Sequence, residues 1–472
     1  MTTQPDTAPP GPDVSARAGK PIGVFAGRVA GVMSTQVVLF GIAFLSSFLL
    51  SALLGPTLKG ELVAVVTVPG MIVAIGMFGL PNAINYFAGR GHSLAGLIRL
   101  SYAFAAAFSV GLFALVWLSL PFLERTLFHA APDTLLRVIL FTLPLSILSA
   151  FGVSILYGRQ KVRSWNLIQL VMAVVSLGLV IVLVGVFWLK VEGAVAGTIV
   201  INVVTVALIL ITVHRLQRAS SAGPAASPKA VAAYGARVYA ASITGYFHYR
   251  ADTYLIQALI VSVVTARKML GLYSVAVTMA ELVFYVPDSV GAIFLPRVAG
   301  ATAEDANRML GRVGRLTTLL TFSVALALIP VAIIGIRVVL HAYVDCLPAF
   351  LVLLPGAVSF SVVKVMVSYL AGRDRPGLIS LGSILALIVD VTLNLVLIPI
   401  YGIVGAALAS LVSYTFQAVV AVAFASRLSG QSPLSLFVPG REEVVLLVTT
   451  LWRLWGSAPV LGGLRPHFPT KG

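Results

Sequence analysis

Residues 246–298, YFHYRADTYLIQALIVSVVTARKMLGLYSVAVTMAELVFYVPDSVGAIFLPRV, read as two hydrophobic helices joined by a short basic turn, yet Arg250, Asp252, Glu281 and Asp288 lie inside the apolar runs. One charge at the centre of a bilayer costs roughly 2.5–3.5 kcal/mol on insertion scales, so four of them need a reason. The usual reason is an aqueous pathway, and this pair of helices is expected to line the cavity of a transporter.

The whole chain supports a membrane setting. Of its 472 residues 59% are hydrophobic and 10% charged, and the mean hydropathy is +1.02, far from the composition of a soluble domain. The net charge of +16 sits in no separate basic domain, so attraction to anionic membrane lipids and control of topology explain it better than nucleic acid does. Cys346 is the sole cysteine, which excludes a disulfide framework and a thiolate metal cluster and leaves it a packing role. His residues lack HExxH spacing and no GxxxxGK[ST] is present; no catalytic residue, metal site or cofactor is expected.

Windows long enough to cross the hydrocarbon core predict twelve helices, near 24–54, 62–88, 100–122, 138–157, 165–189, 193–213, 238–264, 270–295, 316–336, 349–371, 378–399 and 403–426. With the N-terminus inside, 23 of the 32 Lys and Arg residues fall in inner segments and tails and 7 in outer loops, Arg250 and Lys364 being intramembrane. That excess puts both termini in the cytoplasm. Residues 1–23 are proline-rich and polar and suit a disordered cytoplasmic tail. The polar stretch 215–237 reads as a cytoplasmic linker between six-helix lobes at 24–214 and 238–426. In the tail 427–472, residues 442–456 suit an interfacial helix better than a thirteenth span, because Arg453 interrupts the run and Trp452 and Trp455 favour the interface.

The halves resemble each other. LYGRQKVRSWNLI from Leu156 matches YLAGRDRPGLISL from Tyr369, placing Gly158 opposite Gly372. GAVAGTIV from Gly193 matches GAALASLV from Gly405, and Pro81-Asn82 corresponds to Pro287-Asp288. Each copy holds an even number of helices, so a duplicated unit keeps its orientation and the pseudo-two-fold runs along the membrane normal. The fold expected is an all-α polytopic membrane protein of about twelve transmembrane helices in two lobes around a central cleft.

Glu281, Tyr285 and Asp288 fall at i, i+4 and i+7 and share one helix face. Pro287 gives a bend beside Asp288. That stripe serves either a cavity or hydrogen bonding between helices. Arg250 and Asp252, at i and i+2, point nearly apart, so each needs another partner; Arg250 can meet the Glu281 stripe or a phosphate. Lys364 lies on a polar face with Ser361 and Ser368, and Asp390 with Asn394. Two intramembrane cations face four carboxylates, Asp252, Glu281, Asp288 and Asp390, which leaves room for a carboxylate that carries H⁺ or Na⁺. In the first half Asn82, Asn85 and Tyr86 line one face, suited to sugar hydroxyls or to interhelical contact; Tyr249 neighbours Arg250. Arg90, Arg99, Arg159, Lys161, Arg163, Arg373 and Arg375 read as positive-inside residues at helix ends.

SALLGPTLKGELVAVVTVPGMIVAIGMFGLPNAINYFAGRG, YRADTYLIQALIV, LGLYSVAVTMAELVFYVPDSVGAIFLPRVA and LIPIYGIVGAALASLVSY together resemble the polysaccharide and oligosaccharide (O-antigen-type) flippases of the multidrug/oligosaccharidyl-lipid/polysaccharide (MOP) exporter superfamily, over about residues 24–430. The resemblance implies a non-enzymatic flippase that carries a polyprenyl-pyrophosphate-linked oligosaccharide across the inner membrane by alternating access, for cell-surface polysaccharide biosynthesis, beside a polysaccharide polymerase and chain-length proteins. Arg250 and Lys364 would then meet the pyrophosphate or acidic sugars, Asn82, Asn85, Tyr86 and Tyr249 the sugars, and Asp252, Glu281, Asp288 and Asp390 the cavity or the coupling ion. The chain departs from lipid II flippases in having Arg28 only near the end of an otherwise uncharged first helix, and from drug/cation antiporters in lacking a carboxylate there. A cation-coupled exporter of small amphiphiles, or a lipid II flippase, is the alternative. A membrane glycosyltransferase or polymerase needs a larger outer loop than the longest one here, 123–137.

Overall fold

Long apolar segments with no strand pattern satisfy their backbone within helices, which is what lipid demands. The computed structural model describes residues 22–219 and 223–445, and of 22–37 and Phe40 only the backbone; every described element is helical. The helices are α1 (Ile22–Gly76), α2 (Leu80–Gly89), α3 (Leu94–Thr126), α4 (Asp133–Leu140), α5 (Leu143–Gly158), α6 (Val162–Leu179), α7 (Lys190–Arg218), α8 (Pro228–Leu259), α9 (Val263–Glu281), α10 (Tyr285–Ala299), α11 (Ala303–Val338), α12 (Leu347–Gly372), α13 (Pro376–Tyr401) and α14 (Ile403–Ser429).

Among the described residues nine helices are long and apolar enough to cross a membrane, and α4 with α5, bent by 42°, makes a tenth. The remaining two of the expected twelve have local explanations. α1 is broken at Gly55 (φ 69°, ψ 172°), ahead of Pro56, so its 55 residues form two helices where a single span, Gly41–Gly76, is counted. α8 is the more polar helix that carries Arg250 and Asp252. The connection read as 215–237 is shorter than expected, since α7 runs to Arg218 and α8 begins at Pro228; proline in the first helical turn loses no hydrogen bond there. Most of the 1–23 tail and everything after 445 lie outside the described residues, so the expected interfacial helix at 442–456 is not placed; 441–445 is helical.

The duplication inferred from glycine spacing is visible in what those glycines touch. Gly158 and Gly372 end α5 and α12 and lie against the ends of α2 and α10 respectively; a Cβ on Gly158 would overlap Asn85 O, and one on Gly372 would stand 2.7 Å from Val298. Gly193 and Gly405, opening α7 and α14, press on the carbonyls of Leu183 and Leu397. Both halves also break at the same place. α1 gives way to α2 through a turn at Met77–Gly79, Gly79 being left-handed at φ 70°. α9 gives way to α10 through the 3-10 turn Leu282–Phe284. The expected bend thus falls three residues ahead of Pro287, whose missing N–H makes the first turn of α10 the natural place to restart a helix.

The lobes meet along α1 and α2 of the first and α8 and α9 of the second. One buried apolar cluster crosses that seam, with Leu62, Val65, Val68 and Ile72 of α1 joined to Ala266, Leu270 and Tyr273 of α9. A second lies mainly in the first lobe near its arginine-rich end, built from Ile84, Leu97, Phe151 and Ile209 among others, and takes in Val231 of α8.

The interlobe seam and the charged core of the second lobe

The seam is closed at three levels. At the far face, the one away from the arginine-rich helix ends, Gly60 and Gly271 bring the helices together so closely that a Cβ on either would overlap backbone of the other. Small residues permit such approach in membrane helices. Beside them Arg267 Nη1 donates to Glu61 Oε2 at 2.7 Å and its Nε to Ala130 O at 2.7 Å. His129 Nε2 meets Ile260 O at 2.9 Å. The 123–137 connection of the first lobe thereby straps the α8–α9 corner of the second.

Mid-seam, Tyr246, Arg250 and Tyr254 share one face of α8 at four-residue intervals. The two hydroxyls meet at 2.7 Å, and Tyr254 donates on to Thr67 O of α1 at 2.9 Å. Arg250, between them, is exposed, makes no hydrogen bond among the described residues, and has Glu281 and Asp252 as its nearest opposite charges.

At the basic face the contacts are polar and aromatic. Gly79 packs on Gly235 O. Asn82 Nδ2 donates to Ser242 Oγ at 2.7 Å and Tyr239 Oη to Ile75 O at 2.7 Å. The Tyr86 and Tyr234 rings stack at 4.2 Å, with the Arg90 guanidinium 4.7 Å above Tyr86; a cation over an exposed ring contributes about 0.5–1 kcal/mol. Asn82 and Tyr86, expected to bind sugar, thus hold the lobes together at this face, with Asn85 one turn along.

Inside the second lobe the expected charges sort into two groups. Lys364 Nζ is bound by both oxygens of Asp288, at 2.7 and 2.8 Å, and lies 4.6 Å from the Phe284 ring centre and 5.9 Å from those of Tyr249 and Phe360. This ion pair joins α10 to α12. The single stripe expected for Glu281, Tyr285 and Asp288 is divided, because the 3-10 turn rotates α10 relative to α9: half-buried Glu281 faces Arg250 and exposed Asp288 faces Lys364.

The second group is deeper. Asp252 is buried and accepts from the Tyr273 hydroxyl, from Thr253 N at 2.7 Å and from Thr253 Oγ1 at 3.3 Å. Asp390, 2% exposed, accepts from Asn394 Nδ2 at 3.1 Å and faces Asp252 electrostatically. Asp390 Oδ1, Asn394 Oδ1, both amide atoms of Gln257 and both ring nitrogens of His248 are buried without a partner among the described residues. A cavity of about 20 Å³ touches Asp252, Glu281, Tyr249 and Tyr414, room for one water-sized occupant. Oxygen atoms left open beside two buried carboxylates suit a proton or a hard monovalent cation. Tyr273, His248, Gln257 and the tyrosine pair 246/254 escape sequence reading because, in a helix of apolar neighbours, nothing marks which face is turned inward.

Two lobes of α-helices meeting along a sealed seam, with a charged interior in one of them, have the fold of the MOP-superfamily transporters. The lipid II flippase MurJ in an inward closed conformation superposes with a TM-score of 0.67 at 12% identity, over 92% of this chain and 93% of that one. A MATE transporter in the straight conformation gives 0.61 at 13%, over 85% and 95%, and an inward-facing multidrug resistance MATE family transporter of the MOP superfamily gives 0.57 at 14%, over 83% and 95%. At these identities the likeness is one of fold, and these neighbours are transporters and flippases, not enzymes. No protein-family model matches the sequence, and no curated protein matches it.

Proposed function

We propose that the protein is a flippase that moves a polyprenyl-pyrophosphate-linked oligosaccharide from the cytoplasmic to the outer leaflet by alternating access, with the basic face cytoplasmic. The observation that carries this reading is the seam. Its far-face and basic-face closures share no residue, and beside the Gly79–Gly235 contact the basic-face one is made of contacts that can be broken singly: one side-chain hydrogen bond from Asn82, one from Tyr239, and a ring stack. A cleft that opens at one face while the other stays shut is what alternating access requires. Arg250 waits mid-seam with its guanidinium bonded to none of the described residues, suited to a diphosphate that arrives when the lobes part. Lys364, held by Asp288, reaches the cargo only if that pair opens.

Asp252 and Asp390 supply the coupling. Two buried carboxylates facing each other repel, and a proton or Na⁺ taken up between them removes the repulsion. Occupancy can therefore bias how the second lobe packs, since a ligand shifts an equilibrium by its differential affinity for the two states.

In proteoliposomes, a fluorescent polyprenyl-linked oligosaccharide is expected to cross between leaflets with the wild type. Arg250→Ala is expected to slow it at least tenfold with normal insertion, and collapsing the H⁺ and Na⁺ gradients to slow it further. Translocation of lipid II or small amphiphiles in its place would overturn the substrate; an unchanged rate in Arg250→Ala would overturn the role of that residue.

A further inference from the structure

At the basic face the seam does not close flush. Between α2 and α8 it leaves a cavity of about 390 Å³ lined by Tyr86, Phe87, Arg90 and His92 from the first lobe and Tyr234 and Arg237 from the second. Both arginines are exposed, and neither is engaged by a carboxylate among the described residues. Among the described residues no acidic side chain lines the space. His92 also lines the space, and its backbone carbonyl accepts from Arg159 Nη2 at 2.5 Å. The volume is several times that of a diphosphate group and falls within the range of small-molecule sites.

We infer that this cavity is an anion site for a phosphate or diphosphate ester, in which Arg90 of one lobe and Arg237 of the other grip the same group. Guanidinium forks are the side chains best matched to phosphate oxygens. Tyr86, Phe87 and Tyr234 give the site apolar walls that an isoprenoid or acyl chain can follow out to the membrane. Because the two arginines come from different lobes, an occupant ties the lobes together at the basic face and favours the state closed there. A ligand with equal affinity for the open and closed forms would shift nothing; one bridging two lobes has unequal affinity by construction. The site is distinct from the mid-seam Arg250, which lies about four turns further along α8 from Arg237.

The occupant can be a soluble diphosphate or the headgroup of a lipid, and the experiment separates them. Full-length protein in phosphatidylcholine nanodiscs is titrated calorimetrically with inorganic pyrophosphate. In parallel, nanodiscs doped with a polyprenyl diphosphate are compared with nanodiscs doped with the uncharged polyprenol. Spin labels at Lys161→Cys and Arg375→Cys, in a Cys346→Ala background, report the separation of the lobes at this face. The expected result is saturable binding that weakens at least tenfold in Arg90→Gln and in Arg237→Gln, is restored in part by Arg90→Lys, and is unchanged in Arg163→Ala; ligand shortens the spin-label distance in the wild type only. Pyrophosphate alone sufficing would assign a soluble ligand, whereas a response confined to the doped nanodiscs would assign the lipid. Binding unaltered in the Arg90→Gln/Arg237→Gln double variant, or the same weakening in Arg163→Ala, would overturn the site. The inference rests on the alternating-access reading for the lobe motion alone. Wild-type translocation with no anion binding here would sink this site and leave that reading intact; binding here by a protein that translocates no lipid-linked sugar would do the reverse.

Discussion

Gly60 and Gly271 are each other's reason. Neither adopts a backbone angle that needs glycine; both are required because the opposing backbone occupies the space a Cβ would fill. Replacing Gly271 with Ala drives a methyl into the Pro56 carbonyl, and backbone cannot swing aside as a side chain can. Overpacking of this kind costs about 1–3 kcal/mol. Gly271→Ala is therefore expected to lower the melting temperature in detergent by several degrees and to part the far-face closure, raising the labelling rate of a cysteine placed at Glu61. A melting temperature and labelling rate equal to wild type would show that the seam tolerates the shift. The sequence displayed both glycines, but at 211 residues apart nothing in their spacing announced that they touch.

Among the elements, the segment after α14 is tied down more firmly than its polar, proline-containing sequence suggests. Leu436 is fully buried. Gln431 Nε2 donates to Asn307 O at 2.5 Å, and Arg315 of α11 holds Glu443 Oε1 at 2.7 Å through Nε and Ser435 O at 3.0 Å through Nη1. The Arg315 hydrogen bond, helped by the Gly440 N–H at 2.9 Å, holds the Glu443 carboxyl below its usual value of 4.5. A depressed carboxylate contributes its stabilisation in full above the unfolded value and loses it as pH falls through the folded one. Amide exchange in 434–445, corrected for its intrinsic pH dependence, is thus expected to stay slow from pH 8 to pH 5 and to quicken below about pH 4. Glu443→Ala should make it fast at every pH. Equal protection at pH 7 and pH 3 would remove Glu443 as the clasp. This tie was not legible in the sequence, where Glu442 and Glu443 are equivalent; only the chain path past α11 chooses between them.

At the scale of the whole molecule the two ends of the seam are unlike. The far face is closed by a long run of apolar helix surface, close-packed glycines and a half-buried ion pair, whereas the basic face joins one glycine contact, Gly79 on Gly235, and the buried Val231 to polar contacts around a cavity. Apolar burial is worth roughly 25 cal/mol per Å², while a side-chain hydrogen bond nets about 0.5–1.5 kcal/mol. The basic face should therefore open more often. Single cysteines at Ser242 and at Thr67, in a Cys346→Ala background, are expected to react with a membrane-impermeant maleimide from the basic side at rates that differ from those measured from the far side, with Ser242 the faster and reached from the basic side. Equal reactivity of the two from opposite sides would refute the asymmetry.

The sequence by itself determined the fold class, because a 20-residue apolar window, a break at glycine or proline and an excess of Lys and Arg on alternate connections are each local properties that lipid reads directly. The duplication was legible for the same reason: Gly158 and Gly372, or Pro81 and Pro287, sit at like places in like helices. It also picked out the charges inside the apolar runs, Arg250, Asp252, Glu281, Asp288, Lys364 and Asp390, since hydrocarbon makes every one of them conspicuous. Only the tertiary structure decided how they are shared: Lys364 with Asp288, Asp252 with Tyr273 and opposite Asp390, Arg250 with no hydrogen bond among the described residues. Pairing depends on helix rotation and on a 3-10 turn three residues long, and side chains brought together from different helices, 21 residues apart for Asp252 and Tyr273 and 76 for Asp288 and Lys364, leave no periodicity for a sequence to display.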